Sequence, residues 1–180
     1  MIRIILTYGL ISGVVAIVGI IGSMSVSFGI PHSDVWMGYL IMLVALSAIL
    51  VGVKQHRDRA LGGVIRFWPA LLVGLGIAAV ATVAYVAVWE IYLAATHYAF
   101  VDQYAAQVLG AKRAAGVTGA AYAKAIAEVD GFRQLYANPL MRMLSTSAEL
   151  APVAVLVAVV SAALVRNPKF LPARSRPLAA

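Results

Sequence analysis

The chain has 180 residues, 63% of them hydrophobic and only 12% charged, with a net charge of +7. Soluble domains carry about 25% charged residues, so this chain has too little charge to cover a water-facing surface; its apolar content excludes disorder, and its glycines have no collagen-like period. It has no cysteine, which removes disulfides, thiolate metal sites and thiol redox chemistry.

Crossing a bilayer core takes roughly 20 apolar residues of helix, and four stretches qualify: about 4–30, 35–53, 69–95 and 140–165. Backbone polar groups in lipid must be satisfied internally, so each is predicted to be an α-helix. The first follows Arg3 and far exceeds the apolar core of a secretion signal, so it is predicted to remain as a span. It offers Gly9, Gly13, Ala16, Gly19 and Gly22 for close helix contact. A short link with His32 and Asp34 leads to the second span, and a basic link follows in which Gly62-Gly63 predicts a turn. The third span offers Ala70, Gly74 and Ala78, and the fourth Ala154, Ala158 and Ala162. Such spacings are common by chance in alanine-rich helices, so no pairing order follows. A partial echo of residues 43–51 in 156–165 reads as low complexity among Leu, Val and Ala.

Between Gly76 and Gly110 there is neither glycine nor proline, which predicts that helix three continues unbroken past the membrane. Val101, Tyr104, Val108 and Ala111 recur at helical spacing, as do Tyr122, Ile126, Val129 and Tyr136 beyond a turn at Gly116–Gly119, until Asn138-Pro139 stops the helix. Residues 98–137 are therefore predicted to form a helical hairpin packed on itself, the alternative being a helix lying on the lipid surface. The expected fold is all-α: one membrane domain, an integral four-helix bundle with an external helical hairpin between helices three and four and a basic tail at 166–180.

With alternating sides, nine of the fourteen Lys and Arg residues fall on the face of both termini and five on the face of the hairpin. The face richer in basic residues is cytoplasmic by the positive-inside rule, so both termini are expected inside and the hairpin outside. Tyr8, Phe67 and Trp68 then mark the inner interface, and Trp36, Tyr39, Trp89 and Tyr92 the outer one. Lys54, Arg57, Arg59, Arg66, Arg166 and Lys169 are expected to contact anionic lipid, each attracted by about 1 kcal/mol. Membrane lipids account for the positive charge without nucleic acid.

Ionisable groups within spans raise a functional question by default. Glu90 and His97 lie seven residues apart and share a helix face; Arg142 and Glu149 do the same on helix four, with Pro152 one turn beyond. If these faces meet, Glu90, His97, Arg142 and Glu149 form a polar cluster in the outer half of the bundle, with His32 and Asp34 near its rim. One reading pairs Arg142 with Glu90 or Glu149 to fix helix register. A second is a polar cavity for an external cation, headgroup or small solute. A third is an interfacial lipid-modifying site using Glu90, His97 and Glu149. The spacing matches no zinc motif such as H-E-x-x-H, so no catalytic, cofactor-binding or metal-ligating residue is assigned and no cofactor is expected.

Residues Val51–Asp58, Leu61–Phe67 and Trp89-Glu90-Ile91-Tyr92, with Asn138-Pro139-Leu140 and Glu149–Val153, resemble a family of small bacterial membrane proteins classed as a domain of unknown function with four predicted helices. The resemblance covers most of residues 35–166 and leaves out the basic tail. It implies fold and membrane location and carries no activity. The chain is thus expected in the bacterial inner membrane as a non-enzymatic, transport-related or envelope-associated component binding a small solute or cation at the polar cluster. A transport role would need a homo-oligomer, because four short helices enclose little room. The alternative is a structural protein that recognises an envelope partner through its hairpin.

Overall fold

A computed structural model describes residues 1–26 and 34–173. They form α1 (Ile2–Val26), α2 (Asp34–Ala60), α3 (Phe67–Ala95), α4 (Ala99–Ala114), α5 (Gly119–Ala137) and α6 (Pro139–Val165), with no strand among the described residues. Helices α1, α2, α3 and α6 are long and apolar enough to cross a membrane. Leu10, Val14, Leu43, Leu72, Val83 and Leu156 are exposed. In water this much bare apolar surface would drive association; acyl chains accept it, as a membrane protein requires.

The described chain divides into two compact units, one holding residues up to Tyr85 and from Ser147 onward, the other Val86–Thr146. In the first, α1 and α2 pack against each other, and α1 meets α3 through glycine. A Cβ on Gly13 would run into the Ala81 carbonyl oxygen, and one on Gly9 would lie 2.5 Å from Cβ of Val80. Gly19 faces Ile41 of α2 in the same way, at 2.6 Å, and Gly74 of α3 faces Ala158 of α6 at 3.1 Å. Helices in lipid gain nothing from hiding apolar side chains from water, so such close approach supplies the packing attraction that holds them. Ile17, Leu46, Ile49, Val73, Ile77 and Ala158 fill the resulting core.

Helix α2 runs through the basic segment to Ala60 and stops at Gly62 and Gly63, whose φ of 66° and 94° only glycine adopts without strain. The turn expected there is present. Helix α3, by contrast, does not continue past Ala95. Tyr98 N–H donates to the Leu93 carbonyl at 2.8 Å and His97 N–H to that of Ala94 at 3.2 Å, the paired bonds of a Schellman cap. Thr96 Oγ1 donates back to the Tyr92 carbonyl at 2.9 Å, reinforcing the stop. The left-handed position that usually calls for glycine is filled by His97, at φ 50°, and Tyr98 follows at φ 59°.

In the second unit α4 and α5 pack as the expected hairpin. Gly116, at φ 74°, ends α4 with N–H to the Arg113 carbonyl at 2.9 Å, and Val117 N–H reaches that of Lys112 at 3.0 Å. The buried seam is Ala105 on α4 and Ala125, Val129 and Tyr136 on α5. Tyr104 and Ile126, expected in that seam, are exposed, because alanine lets the helices approach where larger side chains are pushed to the flanks. Phe100, Tyr104, Phe132 and Tyr136 form a ring cluster beside the seam, with centroids 4.3 Å apart for Phe132 and Tyr136 and 4.6 Å for Tyr104 and Phe132.

Two stability measurements follow, both as thermal melts in detergent. Gly13→Val, which drives a side chain into the Ala81 carbonyl, is expected to destabilise by about 2–3 kcal/mol, whereas Gly22→Ala, with no atom within 4 Å of the added carbon, should be neutral or better. Replacing the strained cap by His97→Gly is expected to stabilise by about 1 kcal/mol; a loss of stability would mean that the imidazole makes a contact that outweighs its backbone strain.

Candidate functional site

Two residues of the expected polar cluster meet, and they meet tightly. Asn138 caps α6: its Oδ1 accepts from the N–H of Leu140 at 3.0 Å and of Met141 at 3.2 Å, with Pro139 in the first helical position. That cap sets Arg142 in the opening turn, its N–H bonded to the Asn138 carbonyl at 3.0 Å. Arg142 Nε donates to Glu90 Oε1 at 2.8 Å and Nη2 to Oε2 at 2.6 Å. This is a fork-on-fork pair, the strongest geometry available to these groups. The third nitrogen, Nη1, donates to the Tyr136 carbonyl at 2.7 Å. The guanidinium carbon lies 5.1 Å from the Tyr98 ring centroid, within cation–π range. The side chains keep only 6% (Arg142) and 18% (Glu90) of their exposure, so water competes weakly for either charge.

The rings beside the pair exclude solvent. Trp89 is buried, stacked on Tyr92 at 5.4 Å and edge-on to Phe100 at 4.9 Å. Trp89 is therefore a packing residue of the second unit and not an interfacial anchor. Trp36 and Trp68 are exposed, as anchors should be.

Of the other two expected members, one stands in each unit. His97 is exposed in the turn after α3. Glu149 belongs to the first unit, where it is exposed on α6 and accepts a hydrogen bond from Tyr85. His32 lies outside the described residues, and so does the side chain of Asp34. Among the described residues no three His, Asp or Glu side chains gather as a metal-holding group.

The residues expected at anionic lipid divide. Arg59, Arg66, Arg166 and Lys169 are exposed and Lys54 is half-buried, but Arg57 is fully buried. Its Nη1 donates to the carbonyls of Val165 at 3.3 Å and Phe170 at 3.0 Å, its Nη2 to that of Leu171, and its Nε to Asp58 Oδ1 at 2.7 Å. Arg57 thus fastens the segment after α6 onto the end of α2, which is why it cannot reach lipid. Nothing in the sequence separates it from the basic residues around it, since Asp58 adjoins Arg57 and Arg59 alike.

A family model described as "Protein of unknown function (DUF4199)" matches residues 7–167, which takes in the whole stretch over which the motifs bear their resemblance. No curated protein and no solved structure matches the chain.

Breaking the buried pair from one side leaves an uncompensated charge. Glu90→Gln and Arg142→Gln are each expected to cost about 3 kcal/mol, read as a fall in melting temperature in detergent, with the reversed pair Glu90→Arg/Arg142→Glu recovering part of the loss. If the double variant Glu90→Gln/Arg142→Gln loses as much as the two single variants together, the two side chains are not coupled.

Proposed function

Since the chain belongs to the DUF4199 family of proteins of unknown function, we propose from its residues that it is a non-enzymatic protein of a bacterial inner membrane whose α4–α5 hairpin recognises an acidic envelope partner. The observation that carries this reading is the charge on the hairpin. Its three carboxylates are all engaged: Asp102 and Asp130 lie 3.4 Å from Arg133, and Glu128 lies 4.0 Å from Lys124. Lys112 and Arg113, at the end of α4 where the hairpin turns, pair with no carboxylate among the described residues, and Arg113 stacks 5.3 Å from the Tyr122 ring centroid. Two exposed cations at the tip, one of them held beside a ring, attract an acidic surface and orient it as it docks.

The sidedness rests on the sequence: nine basic residues accompany the termini and five the hairpin, which supports cytoplasmic ends and an outward-facing hairpin. Solute or cation binding at Glu90 would first have to break a bidentate pair. Glu149 is held by a hydrogen bond from Tyr85.

A chain without cysteine permits clean labelling. A membrane-impermeant maleimide is expected to label Ala115→Cys on intact cells and Asn167→Cys only after permeabilisation; the opposite pattern overturns the orientation. With orientation established, Lys112→Glu/Arg113→Glu should lower recovery of partner photo-crosslinked in cells by about tenfold without moving the melting temperature. Unchanged recovery would mean that the tip is not the recognition element.

A further inference from the structure

The end of α2 and the chain that follows α6 enclose a cleft of about 720 Å³, within the range of small-ligand sites. Arg57 builds it. By donating to the carbonyls of Val165, Phe170 and Leu171, it turns residues 166–171 back across α2 and holds them there. The cleft between has two kinds of wall. Lys54, Gln55, Asp58 and Arg59 line one part of it, and Val51 and Leu171 line another.

The polar wall is short of negative charge. Asp58 is its one carboxylate, and it is shared by Lys54 Nζ and Arg57 Nε. Arg59 is exposed and pairs with no carboxylate among the described residues. Three cations therefore face one anion, and a second anion would complete the set. The apolar wall narrows the class of anion: Val51 and Leu171 are each about half exposed, at 50% and 47%, and a small inorganic ion would leave them bare. The place narrows it again, since Val51, Lys54, Gln55, Asp58 and Arg59 sit in the last turns of a membrane-spanning candidate, Trp36–Ala60. Cationic and amide donors, an apolar wall and the end of a span together match the phosphate of an amphiphile.

We propose that this cleft is a binding site for the phosphate of an anionic membrane phospholipid, with Arg59 and Lys54 on the phosphate oxygens, the Gln55 amide donating beside them, and the first acyl carbons against Val51 and Leu171. The site is independent of the hairpin and of any partner it recognises. It differs from general attraction of basic residues to a leaflet in being saturable and confined to the residues of the cleft. Arg57 takes no part in contacting the lipid; it positions the segment that forms the second wall.

The test uses the purified full-length chain in a neutral detergent. Native mass spectrometry counts the phospholipid retained after incubation with phosphatidylglycerol or phosphatidylcholine, and melting curves follow titration with each lipid and with inorganic phosphate. The expected result is one phosphatidylglycerol retained per chain and none of the phosphatidylcholine. Arg59→Gln should reduce that retention about tenfold, and Gln55→Ala by a smaller factor, while Arg66→Gln, which removes the same charge outside the cleft, leaves it unchanged. Arg59 is exposed, so folding of its variant is checked by an unaltered ligand-free melting curve. Equal loss from Arg59→Gln and Arg66→Gln, or retention unaffected by both, overturns the site. If inorganic phosphate stabilises the chain at the same concentrations as phosphatidylglycerol, the lipid assignment is overturned.

Discussion

The bundle of the first unit depends on how closely two helix backbones approach without water to push them together. At Gly13 the facing Ala81 carbonyl occupies the space in which a side chain would begin, and at Gly9 the Val80 side chain does so. Dispersion between helices falls off steeply with separation, so a backbone-to-backbone approach brings in many more atoms than a contact between side-chain tips. The same device recurs where Gly74 meets the Ala158 backbone, while Gly52 leaves room for the Tyr8 ring and the tip of Ile77. Large apolar side chains, which form the core of a soluble protein, are here divided between the interior and the lipid surface, because lipid accepts them equally well.

Two arginines solve a second problem shared by all helices, the carbonyls left over at a C-terminus. Arg142 donates to the Tyr136 carbonyl near the end of α5, and Arg57 to the Val165 carbonyl that closes α6. Each does so while bonded to a carboxylate, Glu90 in one case and Asp58 in the other. Each therefore joins a chain reversal to a helix distant in sequence: α6 to α3, and the segment after α6 to α2. A lysine could supply the charge but not the planar fork that reaches a carboxylate and a carbonyl together. The two buried arginines of these helices thus act first as fasteners.

How much of this was legible in the sequence varies with the kind of signal. The spans were legible because an apolar run of that length has few other uses, and the hairpin because its turn carries glycine and its end Asn-Pro. The pairing of Glu90 with Arg142 was one of the open readings, since charges are so scarce in the spans that few combinations exist. The stop after α3 was not legible, because a left-handed cap normally announces itself with glycine and here the position holds His97. The hairpin seam was half legible: periodicity found the apolar stripe but favoured large side chains, whereas close approach selects Ala105 and Ala125. Helix pairing was hidden because Gly13 and Gly22 look alike in sequence, and only one has a neighbour. Arg57 was hidden for the same reason, one basic residue among several.

These fastenings bear on function by subtraction. A charge locked into a bidentate pair or onto backbone carbonyls cannot also hold a ligand without releasing what it holds together, and near apolar surroundings that release costs several kcal/mol (about 3–5). Glu90, Arg142, Arg57 and much of Asp58 are committed in this way. The uncommitted and reachable cations among the described residues include Lys112 and Arg113 where the hairpin turns, and Arg59 beside the cleft at the end of α2. A chain whose carboxylates are mostly engaged, and several of whose exposed cations are not, presents a surface suited to anions.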